Sequence, residues 1–155
     1  MPYTSASFDV VTSFDVLYHT WIEDDAQAVR ELARVLKPGG LMLVKVPALK
    51  ILWGAHDEAV HSRHRYTRDE LERLLKGAGL TLVRSTYANS LLFPVLLSRR
   101  FLDRALSRHG SDVALLPPLF ERLFFGLLTI EAGLLGGFNL PIGASVFAVA
   151  RKADA

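Results

Sequence analysis

The densest group of side chains able to move protons or hold charge lies in "WGAHDEAVHSRHRYT", residues 53–67. His56 and His61 are candidate general bases, because an imidazole changes charge near neutral pH. Arg63 and Arg65 are candidates to clamp a phosphate or carboxylate, since a guanidinium presents paired donors to two oxygens. Asp57 joins them as a substrate-facing acid, and Trp53 and Tyr66 could wall a sugar or an apolar ring. The histidines at 56, 61 and 64 do not fall on one helix face and no supporting pattern surrounds them, so no metal is expected. Earlier in the chain, His19 stands one helical turn beyond Asp15 and is a third candidate base or substrate contact. Salt bridges, caps and packing are the structural alternative for every one of these residues.

The elements that must position these groups are legible from periodicity. "FDVVTSF", Phe8 to Phe14, is a short β-branched apolar run, as expected for a strand covered on both faces. "EDDAQAVRELARVLKPGG" predicts a helix capped by Asp24, with Gln27 at the reciprocal position. Its apolar face is Val29, Leu32, Ala33 and Leu36, and "KPGG" stops it. "LMLVKVP" is a second buried strand. "TRDELERLLKGAGL" predicts a helix with a capping box at Thr67 and Glu70, and an apolar face of Leu71, Leu74, Leu75 and Ala78. "LTLVRSTY" and "GASVFAVARK" are a third and a fourth strand. Strands alternating with helices imply an α/β sheet. Between the third and fourth strands lies an apolar, mostly helical insert, roughly residues 89–142, within a single domain spanning 1–155.

The composition narrows the partners. Half of the 155 residues are hydrophobic and there is no cysteine, which excludes disulfides, thiolate metal sites and a cysteine nucleophile. A reducing cytoplasm is the expected compartment, and the first residues lack the basic and apolar runs of a signal peptide. Residues 79–155 hold 8 Lys and Arg against 5 Asp and Glu, so the greasier half is also the more basic. Arg100, Arg104 and Arg108 form an i, i+4, i+8 stripe that could face an anionic membrane surface or a phosphate-bearing substrate. The uncharged stretch Ala132 to Ala150 has the length of a membrane span, but Gly136, Gly137, Asn139, Pro141 and Gly143 argue against one. Peripheral membrane contact through the insert is the milder expectation. Nucleic acid is not expected, because the basic residues lack an aromatic-interleaved strand or a recognition helix.

Taken in order, "FDVVTSFDVLYHT", "LARVLKPGGLMLVKVP" and "RYTRDELERLLKGAGL" resemble the second half of a class I S-adenosylmethionine-dependent methyltransferase domain. The likeness covers Ser7 to Tyr87 and the closing strand. "HDEAVHSRHRYT" and the insert ending "LPIGASVFAVARK" are similar to a bacterial subgroup of that family. The resemblance implies a partial Rossmann-like sheet made of the family's last four strands, in the order 4-5-7-6. It implies S-adenosylmethionine as cofactor, with Ser13, Phe14 and Asp15 beside its methionine portion at the carboxyl edge of the sheet. It also implies a small, saccharide or lipid-linked methyl acceptor.

One part of the family pattern has no counterpart. The glycine-rich cofactor loop and the acidic ribose contact lie ahead of the "FDVV" strand in that family, and only seven residues precede it here. "GAG" at 77–79 follows a helix, the reverse of the required context, and "GLLGG" at 133–137 sits in the insert. The reading is therefore a C-terminal portion, with little or no cofactor binding by this chain alone. Its alternatives are a non-catalytic assembly module and an enzyme completed in trans. The Phe8–Phe14 strand, lacking a neighbour, is expected to drive self-association.

Overall fold

The computed structural model describes residues 1–106 and 118–154. Four strands form one sheet in the order β1-β2-β4-β3: β1 Phe8–Phe14, β2 Leu36–Pro47, β3 Leu80–Ala88 and β4 Ser145–Lys152. The β1–β2 pair is parallel, and β4 runs antiparallel to both β2 and β3. This is the strand arrangement expected from the sequence, carried by the right elements.

Helices α1 (Asp25–Val35) and α3 (Arg68–Gly77) lie side by side on one face. Their starts are fixed locally. The Asp24 carboxylate accepts from the Gln27 amide at 3.0 Å. Thr67 and Glu70 exchange side-chain and backbone bonds as a capping box. Such caps satisfy amides that the first helical turn cannot. Val29 and Ala33 of α1, and Leu71 and Leu75 of α3, then bury against Met42, Val44, Val46, Val146, Ala148 and Ala150. The last turn of α1 is closed from a distance. The Lys152 ammonium lies 2.7 Å from both the Ala33 and Leu36 carbonyl oxygens, a cation where the helix dipole is negative.

Two local expectations are corrected. "KPGG" does not merely stop α1. Phe8 pairs with Leu36 and Val10 with Leu41, so Lys37–Gly40 bulges out opposite the single residue Asp9. Gly39 takes φ +72°, and a Cβ on Gly40 would fall 2.9 Å from the Asp9 carbonyl oxygen. Lys37 spans the bulge to the Asp9 carboxylate at 2.9 Å. Nor is β1 covered on both faces: Val11 and Ser13 are buried, whereas Phe8, Val10 and Phe14 on the other side are exposed. An apolar residue on each face of a strand records a preference for burial, and the outer side of β1 stays exposed in this sheet.

The insert carries two helices, α4 (Phe93–Ala105) and α5 (Pro118–Gly137). Arg108 of the basic stripe lies outside the described residues. α5 is tied to the turn after β3 by Glu131, whose buried carboxylate accepts the amides of Asn89 and Leu91 at 2.5 and 2.9 Å. Much of its apolar surface, Phe125 and Ile130 included, stays exposed. Among the described residues no helix is long and apolar enough to cross a membrane.

Candidate active site

A cavity of about 300 Å³ opens at the carboxyl ends of β1 and β2, beside the start of β4. In an open α/β sheet this edge is where ligands collect. Its walls come from distant segments: Asp15 and Tyr18 after β1, Pro47 at the end of β2, Ser145 at the start of β4, and His56, Asp57 and Arg65 from the loop after β2. Leu96 and Arg100 of α4 close it from above.

The loop after β2 is built around Asp57. A 3₁₀ turn, Lys50–Leu52, leads through Gly54 into the short helix α2 (Ala55–Ala59). The buried Asp57 carboxylate accepts from the Gly54 amide at 2.9 Å and takes both Arg65 Nε (2.7 Å) and Nη2 (3.1 Å). Arg65 Nη1 donates to the Ala48 carbonyl at 3.0 Å. Asp57 and Arg65 thus neutralise each other and hold the loop so that His56, at the start of α2, meets the cavity.

Asp15 turns sharply at the end of β1, with φ +54°, a conformation that Asp tolerates better than most residues. Its carboxylate pairs with Lys45 at 2.8 Å. Phe14 is 47% exposed with its ring 6.0 Å from that of Phe147, whereas Ser13 is buried in the sheet. Burial, and then the charges of Asp15 and Asp57, hold the Tyr18 hydroxyl protonated above the usual phenol range.

The other sequence-predicted residues stand apart from the cavity. His19 Nδ1 lies 3.0 Å from the Val60 carbonyl oxygen, and its ring sits between Tyr18 and Trp21. His61 adopts φ +52° with its ring 5.8 Å from the Trp21 ring. Arg63 pairs with the Asp25 carboxylate at the start of α1. The buried Tyr66 hydroxyl lies 2.5 Å from Asp25 Oδ2 and 3.2 Å from the Leu17 carbonyl oxygen. Burial, reinforced by that carboxylate, pushes the Tyr66 hydroxyl strongly upward. Trp53 is half-buried, and its carbonyl oxygen accepts from Arg104 at 3.3 Å. Among the described residues no three His, Cys, Asp or Glu side chains are grouped to hold a metal.

Sequence reasoning did not find Tyr18, Leu96, Ala144 or Ser145. Arg100 was visible only as part of a stripe. Its Nε donates to the Leu52 carbonyl at 2.9 Å, and Arg104 Nη2 donates to Ile51 at 2.8 Å. Those two arginines bond the loop after β2.

Residues 1–44 match the family model described as a methyltransferase domain. A protein described as a probable S-adenosylmethionine-dependent methyltransferase of Mycobacterium tuberculosis is 40% identical over 81 residues, which is 51% of this chain and 29% of that protein. The malonyl-[acyl-carrier protein] O-methyltransferase of Enterobacter lignolyticus is 35% identical over 83 residues, covering 50% of this chain and 32% of its own length. The aligned segments therefore span about a third of these relatives. Among solved structures, the Haemonchus contortus phosphoethanolamine N-methyltransferase 2 in complex with S-adenosyl-L-methionine superposes with TM-score 0.54 at 20% identity, over 98% of this chain and 35% of that one. An S-adenosylmethionine-dependent methyltransferase from Mesorhizobium loti gives TM-score 0.54 at 14% identity, over 96% and 63%. The matching segment and the relatives make this chain similar to S-adenosylmethionine-dependent methyltransferases over about half of its length, and the solved structures share its fold.

Proposed function

We propose that this chain forms the acceptor side of a methyl-transfer site, with the acceptor seated in the cavity between β1, the loop after β2 and α4. The observation that carries this reading is the convergence of Asp15, Tyr18 and His56 on one cavity at the carboxyl edge of the sheet. S-adenosylmethionine, when bound, supplies an electrophilic methyl group on a sulfonium. The residues at the end of β1 suit its methionine portion: the Asp15 carboxylate, which already holds the Lys45 ammonium, is an acceptor for amino groups there, and Phe14 offers an exposed aromatic face. Ser13 lies buried in the strand beside them.

Transfer is an in-line displacement, so positioning supplies much of the rate. The walls of the cavity orient the acceptor. His56 takes the proton that the acceptor's nucleophilic atom loses as it is methylated. The mixed lining, with Leu52, Val60 and Leu96 beside Tyr18, Arg65 and Ser145, suits a small or lipid-linked acceptor with a polar reacting end, a saccharide included. No stretch among the described residues places a glycine-rich turn between a strand and a following helix, so this side of the site grips the cofactor weakly by itself.

Isothermal titration of the chain with S-adenosylmethionine and S-adenosylhomocysteine tests this reading. The expected result is weak binding, on the order of millimolar, that Asp15→Asn removes and His56→Gln leaves unchanged. Binding indifferent to Asp15→Asn, or none at all, overturns the cofactor contact. A second reading, an assembly module, is favoured by the exposed outer side of β1 and the bare apolar surface of α5.

A further inference from the structure

α4 covers the cavity, yet it packs on the fold mainly through the 3₁₀ turn Lys50–Leu52. Phe93, at its first turn, is the buried residue that anchors it. Farther along, Leu96 faces the cavity, while Val95, Phe101 and Leu102 are exposed to solvent. Contact with the loop below is made by guanidinium groups on backbone carbonyls. Arg100 reaches Leu52, and Arg104 reaches Ile51 and Trp53. These are consecutive carbonyls of one turn, and Gly54 follows them directly. Gly54 has extended backbone, so no turn requires a glycine there. The reason for it is space: a Cβ at Gly54 would overlap the Arg100 guanidinium.

We propose that Gly54, Arg100 and Arg104 form a latch that holds α4 over the acceptor cavity, making the two arginines positioning residues that set which acceptors gain access. The reading rests on the proposed methyl-acceptor role of the cavity. The latch itself is a property of the unliganded chain. Guanidinium–carbonyl bonds at a partly wet surface are modest and exchangeable. A helix held through such bonds opens far more readily than the core. Gly54 is the specificity-determining element, because a Cβ there would fall on the Arg100 guanidinium, which would have to move aside. The Asp57–Arg65 pair keeps the carbonyl side of the latch fixed, so opening moves α4 rather than the loop.

Hydrogen exchange of the 155-residue chain, read by mass spectrometry, tests the latch without any methyl transfer. Arg100→Ala, Arg104→Ala and Gly54→Ala should each speed exchange of the Phe93–Ala105 peptide by roughly tenfold or more, as expected for a local opening that has lost its tie. Peptides from α3 and β4 should exchange as in the parent chain. Arg100→Lys, which keeps the charge but not the fork, should recover only part of the protection. Equal α4 exchange in the parent and all three variants overturns the latch, as does a parent α4 already unprotected. Where a methyl acceptor is found, Gly54→Ala should raise kcat/KM for bulkier acceptors relative to small ones. A latch seen by exchange without any methyl transfer would leave the latch standing and remove the proposed function.

Discussion

Arg65 and Asp57 meet as a bidentate pair beneath the cavity, with side chains only 10% and 3% exposed. Each partner also holds backbone, Asp57 at Gly54 and Arg65 at Ala48. Removing one charge leaves the other buried without compensation, which costs more than an ordinary surface pair contributes. Asp57→Asn should therefore destabilise the chain by about 3 kcal/mol, measured as a shift in urea midpoint at constant slope. A change within error would show that solvent reaches Arg65 more freely than the structure indicates.

Acid should weaken the fold through three carboxylates. Asp25 is held below its ordinary 3.8: burial opposes this, and the bonds from Tyr66 and Arg63 outweigh it. Glu70 is held below 4.5, first by the Thr67 amide. Arg34 and the terminal amine hold the exposed Glu31 at about 2. Because the folded values are depressed, their stabilisation is present above the ordinary values and is lost as pH falls through the depressed ones. Urea midpoints should fall from about pH 4.5 downward, and Glu70→Gln should flatten the upper part of that decline. A midpoint flat to pH 3 would contradict it.

The outer edge of β1 should promote association. β1 is an edge strand with Val10 and Phe14 exposed, a template for another strand. Sedimentation velocity should show species larger than the monomer, and Val10→Lys should shift the distribution towards monomer. A monodisperse monomer whose β1 amides exchange rapidly would sink this expectation.

Lys152 ties the end of the last strand to the end of α1. Lys152→Met keeps the aliphatic stem but leaves the Ala33 and Leu36 carbonyls without their cation. Thermal unfolding should report a loss of about 1 kcal/mol, partly relieved in Lys152→Arg. No loss in Lys152→Met would mean that water replaces the ammonium at no cost.

The helix starts and strand identities were legible because their causes are local or periodic: Asp24, Thr67 and Glu70 as caps, and alternating or three-four spaced apolar residues; the strand order came with the family resemblance, since no local signal fixes it. What covers the second sheet face was not legible, since the Val10 and Phe14 types record a preference and not a neighbour. The Arg100–Arg104 spacing was readable, but its target was not, because backbone carbonyls carry no sequence signature. The cavity itself needed Tyr18, Leu96 and Ser145 from three distant segments. In "HDEAVHSRHRYT" the residue types suggested chemistry throughout. The fold spends Arg63 and Tyr66 on Asp25, and Arg65 on Asp57, leaving His56 as the histidine among the described residues that meets the cavity.

The four residues Lys37–Gly40 face a single residue of β1, while pairing from Val10 and Leu41 onward runs without interruption to Phe14 and Lys45. Sequence length can therefore change at that point without sliding one strand past the other. A residue added between Pro38 and Gly39 should leave the spacing between Asp15 and Lys45 intact.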